Sequence, residues 1–270
     1  MKKITFFITI VFIFNLSTKL NAQDTFSGKI TYKCFFPDKK QRNKSTLQPL
    51  FINSFKSLQI SSNNTSNSTG VKKEEVGVSL TLPYGDSIGR QIYRNIKDSI
   101  LITRRPKNAI SEPFIVKEKW VNINWKIENK TKKIGGYLAT KAKGSFRGRE
   151  YTVWFTYEIP IPFGPWKLHG LPGLILEAED SEKMMRFYAT EIKIPFETKD
   201  ALKVPKAENE ITHQEEVYMR DNFDKILAKK MNARLPKGSS ITPRTNNDGR
   251  KYWGEKVFEW ETDAVNDKKN

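Results

Sequence analysis

Residues 151–180 read YTVWFTYEIPIPFGPWKLHGLPGLILEAED, and the fold follows from how that stretch divides. Its first part alternates: Tyr151, Val153 and Phe155 share one side, with Thr152, Trp154 and Thr156 on the other. Period-two alternation marks a β-strand with one buried and one wet face. Leu174–Ala178 is a second, mainly apolar strand that ends in the polar turn Glu179-Asp180-Ser181-Glu182-Lys183. Between them Pro160, Pro162, Pro165 and Pro172 fix φ and remove backbone donors, while Gly164, Gly170 and Gly173 allow backbone angles closed to other residues. Yet Phe163, Trp166, Leu168 and Leu171 stand among these breakers. A flexible linker has no use for such large apolar side chains. The segment therefore predicts an ordered corner, folded against a sheet with its aromatics buried.

Strand signals continue on both sides. Gly135-Gly136 opens a run through Tyr137, Ala139 and Lys141, Phe146-Arg147-Gly148-Arg149 reads as a turn, and Met184–Ile194 as a returning strand. A three- or four-stranded antiparallel meander is expected here. Nearer the N-terminus, Ile30, Tyr32, Cys34 and Phe36 share one side of a strand. Ile92–Ile96 and Ile100–Thr103 flank a hairpin turn at Lys97-Asp98-Ser99, and Trp120–Ile127 alternates through Val121, Ile123 and Trp125. Residues 61–70 carry no apolar side chain and cannot offset the entropy of ordering, so a mobile loop is expected over about 61–75. The period then changes. Ile211, Val217, Phe223, Ile226 and Leu227 predict an amphipathic helix over about 208–231, best formed from Glu215 to Lys230, with its apolar stripe on the sheet. Trp253, Phe258 and Trp260 read as a last strand or a loop pinned by aromatics. The fold class is mainly β with a C-terminal helix (α+β), on a curved antiparallel sheet of half-barrel-like form.

The N-terminus reads as an export signal. Lys2 and Lys3 precede an apolar run from Ile4 to Leu16, and Ala22 offers a small residue for cleavage. The run is too short for a transmembrane helix, which needs roughly 20 apolar residues. The expected division is a signal peptide over 1–22 and one β-rich domain over 23–270, with no membrane-spanning segment after cleavage. The single cysteine, Cys34, cannot form an internal disulfide and reads as a small buried apolar side chain. The formal charge is +17, of which Lys2, Lys3 and Lys19 belong to the leader. Such a basic chain is drawn to anionic lipid or glycan surfaces. Its lysines are scattered, with no arginine-rich arm or nucleic-acid motif, so nucleic acid is not an expected partner.

The run Gly170-Leu171-Pro172-Gly173-Leu174-Ile175 resembles the signature of the GLPGLI family, a group of exported bacterial proteins without an established function. Gly164-Pro165-Trp166 resembles the usual approach to that motif, and Ile134–Tyr137, Lys141-Ala142, Arg149, Tyr151, Trp154 and Phe155 resemble the strands before it. Members often carry a cysteine where Ala139 stands, so any thiol or metal role of that cysteine is absent here. The resemblance implies export, one β-rich domain and a structural role for the corner. It supplies no catalytic residues.

Residue chemistry adds little. His169 and His213 are the two histidines, and no H-x-H, H-E-x-x-H or cysteine pair accompanies them. Glu177 and Glu179 point the same way on a strand and could do acid–base work, or form a solvated face. No phosphate-cradling loop or nucleophile motif is readable. Catalytic, cofactor and metal residues are therefore expected to be none, with His169, Glu177 and Glu179 as functional candidates. The favoured reading is a non-catalytic binding or accessory protein of the cell envelope, in the periplasm, at the outer membrane or secreted, with envelope components as partners. The alternatives are a periplasmic enzyme using His169 with Glu177 or Glu179, and a carrier of lipid or another hydrophobic ligand with Trp125, Trp154, Phe163 and Trp166 lining its pocket.

Overall fold

The computed structural model describes residues 26–261 except 37–43, 62–69, 74–77, 83, 199–200, 236, 239 and 244–248. The leader and most of the loop expected over 61–75 lie outside the described residues. A first group of strands comprises β1 (Ser27–Phe35), β2 (Ser45–Asn53), β3 (Lys56–Ser61), β4 (Gly70–Lys73), β5 (Val78–Thr81), β6 (Arg90–Asn95), β7 (Ile100–Arg105) and β8 (Phe114–Glu118). A second comprises β9 (Lys126–Ile134), β10 (Tyr137–Phe146), β11 (Arg149–Thr156), β12 (Leu174–Asp180) and β13 (Arg186–Lys193), followed by β14 (Asn209–Thr212). Two helices close the described elements, α1 (His213–Asp221) and α2 (Phe223–Asn232).

Twelve strands form one open sheet in the order β14-β8-β7-β6-β3-β2-β1-β13-β12-β11-β10-β9, and β4 and β5 form a separate ribbon. The sheet is two antiparallel meanders joined where β1 pairs with β13. Its one parallel pairing is β14 with β8. The second meander has five strands, one more than the alternating pattern predicts, because lysine-rich β9 joins as the edge. Lys126, Lys130, Lys132 and Lys133 on that edge strand discourage pairing with another chain.

Several sequence expectations change. Residues 119–125 form no strand, and only Ile123 of that run is buried. Gly70–Lys73, expected in a loop, pairs with Val78–Thr81. The expected helix over 208–231 begins as a strand, β14, and breaks at Asn222. Thr212 caps α1 through a reciprocal box with Glu215, which sets its start at His213. The buried residues of α1 are His213, Glu216 and Val217, so its inner face is mostly polar rather than an apolar stripe.

The corner between β11 and β12 lies inside the curl of the sheet. Phe163 and Leu168 are fully buried, and Trp166 packs on Phe146 and Tyr151. From the opposite half of the sheet, Arg94 on β6 donates to the carbonyls of Leu168 (2.8 Å) and Gly164 (2.7 Å), and to Ser57 Oγ (2.8 Å). The Trp166 N–H donates to Gln59 Oε1 on β3, and Tyr32 Oη donates to the Ile175 carbonyl at 2.5 Å. Strands far apart in the sheet thus grip one short loop, and this curls the sheet.

The glycines act partly as expected. Gly170 has φ +94°, but Gly164 and Gly173 are needed for room rather than for angle. A Cβ on Gly173 would lie 2.0 Å from the Thr156 carbonyl oxygen. Trp166 itself holds φ +56°, a left-handed conformation rare for a bulky side chain. Gln59 and the Leu168 N–H bond to Pro165 O hold it there.

Two stability outcomes follow. Gly173→Ala forces β11 and β12 apart and should cost more than the roughly 1–3 kcal/mol of ordinary overpacking. Arg94→Met strips two buried carbonyls of their donor and should cost about 2–4 kcal/mol. Urea denaturation of each variant against the parent checks both.

Candidate functional site

The inner face of the first meander is unusually polar for a concave sheet surface. Register sets Gln48 opposite Tyr32, Gln59 opposite both Leu50 and Ile92, and Ser61 opposite Arg90. Thr103 lies opposite Val116 and Leu101 opposite Glu118. Alternation puts Arg90, Ile92 and Arg94 on the same face of β6. Polar groups therefore stand where a plain β-sandwich would bury aliphatic side chains.

A cavity of about 330 Å³ opens on this face beside the corner. Gln48, Gln59, Ser61 and Arg90 line it, with Trp166 and Tyr84 as aromatic walls. A relay runs through it. Gln59 Nε2 donates to Gln48 Oε1 at 2.7 Å, and Gln48 Nε2 donates to Thr46 Oγ1 at 3.0 Å and Ser61 Oγ at 3.1 Å. Both hydroxyls accept in these bonds, and among the described residues no acceptor takes their protons. Arg90 has a buried Nε with no acceptor, and burial and Arg105 lower its pKa to about 9.

Deeper in, a group of charges is enclosed. Lys167 Nζ donates to Glu118 Oε2 (2.5 Å) and Glu255 Oε1 (2.7 Å), with a fully buried side chain. Arg147 bonds Glu118 (2.6 Å), Glu259 (2.9 Å) and Glu255. Arg105 pairs with Glu216. Burial opposes ionisation of Glu118, yet Lys167 and Arg147 outweigh it and hold the carboxyl at about 2. Burial pushes His213 below its ordinary pKa, so its ring is neutral at pH 7.

Glu118, His213 and Glu255 bring ligand atoms within 4.8 Å of one another. That donor set resembles a metal site, but Lys167 Nζ already sits against both carboxylates. The ammonium holds the place a divalent ion would take, so the residues present do not fit a resident metal.

The sequence candidates fall elsewhere. His169 is buried, with Nδ1 2.8 Å from the Lys167 carbonyl and its ring 4.3 Å from that of Trp120. Since a carbonyl only accepts, Nδ1 carries the proton. Burial lowers the His169 pKa to about 4. Glu177 pairs with Lys132, and no hydrogen bond or ion pair joins His169 to Glu177 or Glu179. Of the four expected lining aromatics, Trp166 alone faces the polar cavity. Trp125 Nε1 donates to the His169 carbonyl, Phe163 is core, and Trp154 lies 4.5 Å under the Lys132 ammonium. Cys34 is buried, and burial raises its thiol pKa.

A family model described as a protein of unknown function (Porph_ging) matches residues 146–177, from the β10–β11 turn through the corner. No curated protein matches. Two solved structures of PNGF-II, in space groups P21 and C2, are each 18% identical over 72% of this chain, with a TM-score of 0.48. The match covers 33% and 32% of those chains, so this chain spans about a third of their length. No helix among the described residues is long and apolar enough to cross a membrane.

The ionic group makes stability acid-sensitive. The folded pKa of Glu118 is depressed, so its contribution is complete above its ordinary value of 4.5 and is lost as pH falls toward about 2. Denaturant midpoints at pH 7 and pH 3 should show that loss. Glu118→Gln strands Lys167 beside fewer counter-charges and should cost about 3–5 kcal/mol at pH 7, with a flatter acid limb.

Proposed function

We propose that this is an exported cell-envelope protein that binds a small, hydroxyl-rich, anionic molecule, such as an acidic saccharide, in the cavity beside Trp166. The observation that carries this reading is the cavity's lining: two amides, the hydroxyls of Thr46 and Ser61, and the cations Lys44 and Arg90, against Phe36, Tyr84, Ile92 and Trp166. Aromatic walls with a few convergent polar groups are typical of ligand sites. Hydroxyls that can still donate and a guanidinium lacking an acceptor favour a guest rich in oxygen and carrying negative charge. The polar floor argues against a carrier of purely apolar lipid there. A neutral, buried His169 and a Glu177 tied to Lys132 give the enzyme alternative little support. Anionic envelope glycans suit the basic composition in the same way.

The test is calorimetric titration of the protein with glucuronate and with glucose. Glucuronate should bind saturably and glucose about tenfold more weakly or not at all, the loss expected for one charge-assisted hydrogen bond. Arg90→Gln should remove the preference with little change in stability, since Arg90 makes no ion pair among the described residues. Equal binding of both sugars, or binding of neither, refutes the reading.

A further inference from the structure

A second cavity, of about 350 Å³, is lined by the end of β7 and the segment after it together with helix α1 and the start of α2. Pro106, Ile110, Phe114, Met219 and Phe223 give it a mainly apolar wall, with Tyr84, Lys107 and Asn108 also lining it. Its charged end is made by Arg105, Arg220 and Glu216. The chemistry differs from that of the polar cavity, although Tyr84 touches both.

The charges at this end do not balance. Glu216 pairs with Arg105, and Arg220 Nη1 stands 3.9 Å from Glu216 Oε1 and 3.9 Å from Glu255 Oε2. Among the described residues, Arg105 Nε, Arg220 Nε and Arg220 Nη2 are buried without an acceptor, and Glu216 Oε2 without a donor. Among the described residues of this charged group, Arg90, Arg105, Arg147, Lys167 and Arg220 stand with Glu118, Glu216, Glu255 and Glu259, one cation more than the carboxylates. By the register of β6 and β7, Arg90 and Arg105 stand opposite each other, one step beyond Gln91 and Arg104. Like charges facing each other across a ladder destabilise it. Burial and the neighbouring Arg105 lower the Arg220 pKa, with Glu216 opposing them. Buried N–H donors without acceptors are costly, and a guanidinium takes a carboxylate in a two-pronged grip.

We propose that this cavity is a binding site for a small amphipathic monocarboxylate, whose apolar body lies against Ile110, Phe114, Met219 and Phe223 while its carboxylate accepts from Arg105 and Arg220. One negative charge neutralises the surplus cation. The apolar stretch disfavours a polyhydroxylated guest, because hydroxyls laid against Ile110, Phe114, Met219 and Phe223 would find no partner there. This site is independent of the saccharide reading. Failure of either leaves the other standing.

The test is calorimetric titration of the purified protein with octanoate, octylamine and inorganic phosphate. Octanoate should bind saturably, octylamine should not, and phosphate should bind at least about tenfold more weakly for lack of an apolar body. Arg220→Gln keeps the Arg105–Glu216 pair and should weaken octanoate by about 10–100-fold, the range for a charged hydrogen-bonded contact. Met219→Glu introduces a negative charge at the cavity wall and should abolish octanoate binding even if Arg220→Gln fails to fold. Octylamine binding as tightly as octanoate, phosphate binding as tightly, no binding of octanoate, or unchanged octanoate binding by Met219→Glu overturns the proposal.

Discussion

A buried arginine, paired with no carboxylate among the described residues, ties the corner to the far half of the sheet. Arg94 extends from β6 into the curl of the sheet and spends its donors on Ser57 Oγ and the carbonyls of Gly164 and Leu168. Its guanidinium also lies 5.0 Å over the Phe163 ring. Burial alone would favour the neutral form, and its pKa falls to about 9, so it remains charged at neutral pH. A charge without a counter-ion is tolerated only where dipoles and a π-face replace water. The corner is rich in proline, and its carbonyls outnumber the local N–H groups that can satisfy them. The arginine and the corner therefore complete each other's hydrogen bonding, and the sheet between them must bend.

That coupling explains what could and could not be read from the chain. Local patterns were legible. The alternation of Tyr151, Val153 and Phe155 gave β11, and the apolar residues among the prolines gave a buried corner. The mainly β fold class came from the same signals, whereas the parallel β14–β8 pairing that makes the sheet mixed did not. Trp120–Ile127 misled because alternation cannot distinguish a strand from an extended coil whose tryptophan is wanted for one hydrogen bond to His169 O. The stretch before His213 misled because Ile211 fits a helical stripe and a short edge strand equally well. Lys167 was the missed clue: a lysine between Trp166 and Leu168, inside an apolar corner, has to meet an anion when that corner is buried. Its partners, Glu118 and Glu255, lie 49 and 88 residues away and share no local pattern with it.

The C-terminal segment has a role that follows from those distant partners. Glu255 enters the ionic group, Trp253 and Lys251 give their carbonyls to Arg149, and the Lys256 N–H donates to the Arg147 carbonyl. Arg149 also pairs with Asp180, whose other oxygen accepts from the Met184 and Met185 N–H groups of the next turn. The segment thus straps the β10–β11 turn to the end of β8 and brings the two halves of an open sheet together through ion pairs. Such buried pairs add modest stability but fix geometry, because a slipped register would strand a charge.

Fixing geometry this way has a consequence for function. A curled sheet filled by aliphatic side chains would have no interior to offer. Here the inner face carries Gln48, Gln59, Ser61, Arg90 and Arg105, and the corner covers only part of it. A group sealed by the corner, such as Arg94, is structural. Those it fails to reach, Arg90 and Arg105, keep unmatched N–H donors. They lie where the sheet face continues past the corner's edge and the two cavities begin. The same polar face is thus core where the corner seals it and lines cavities where it does not.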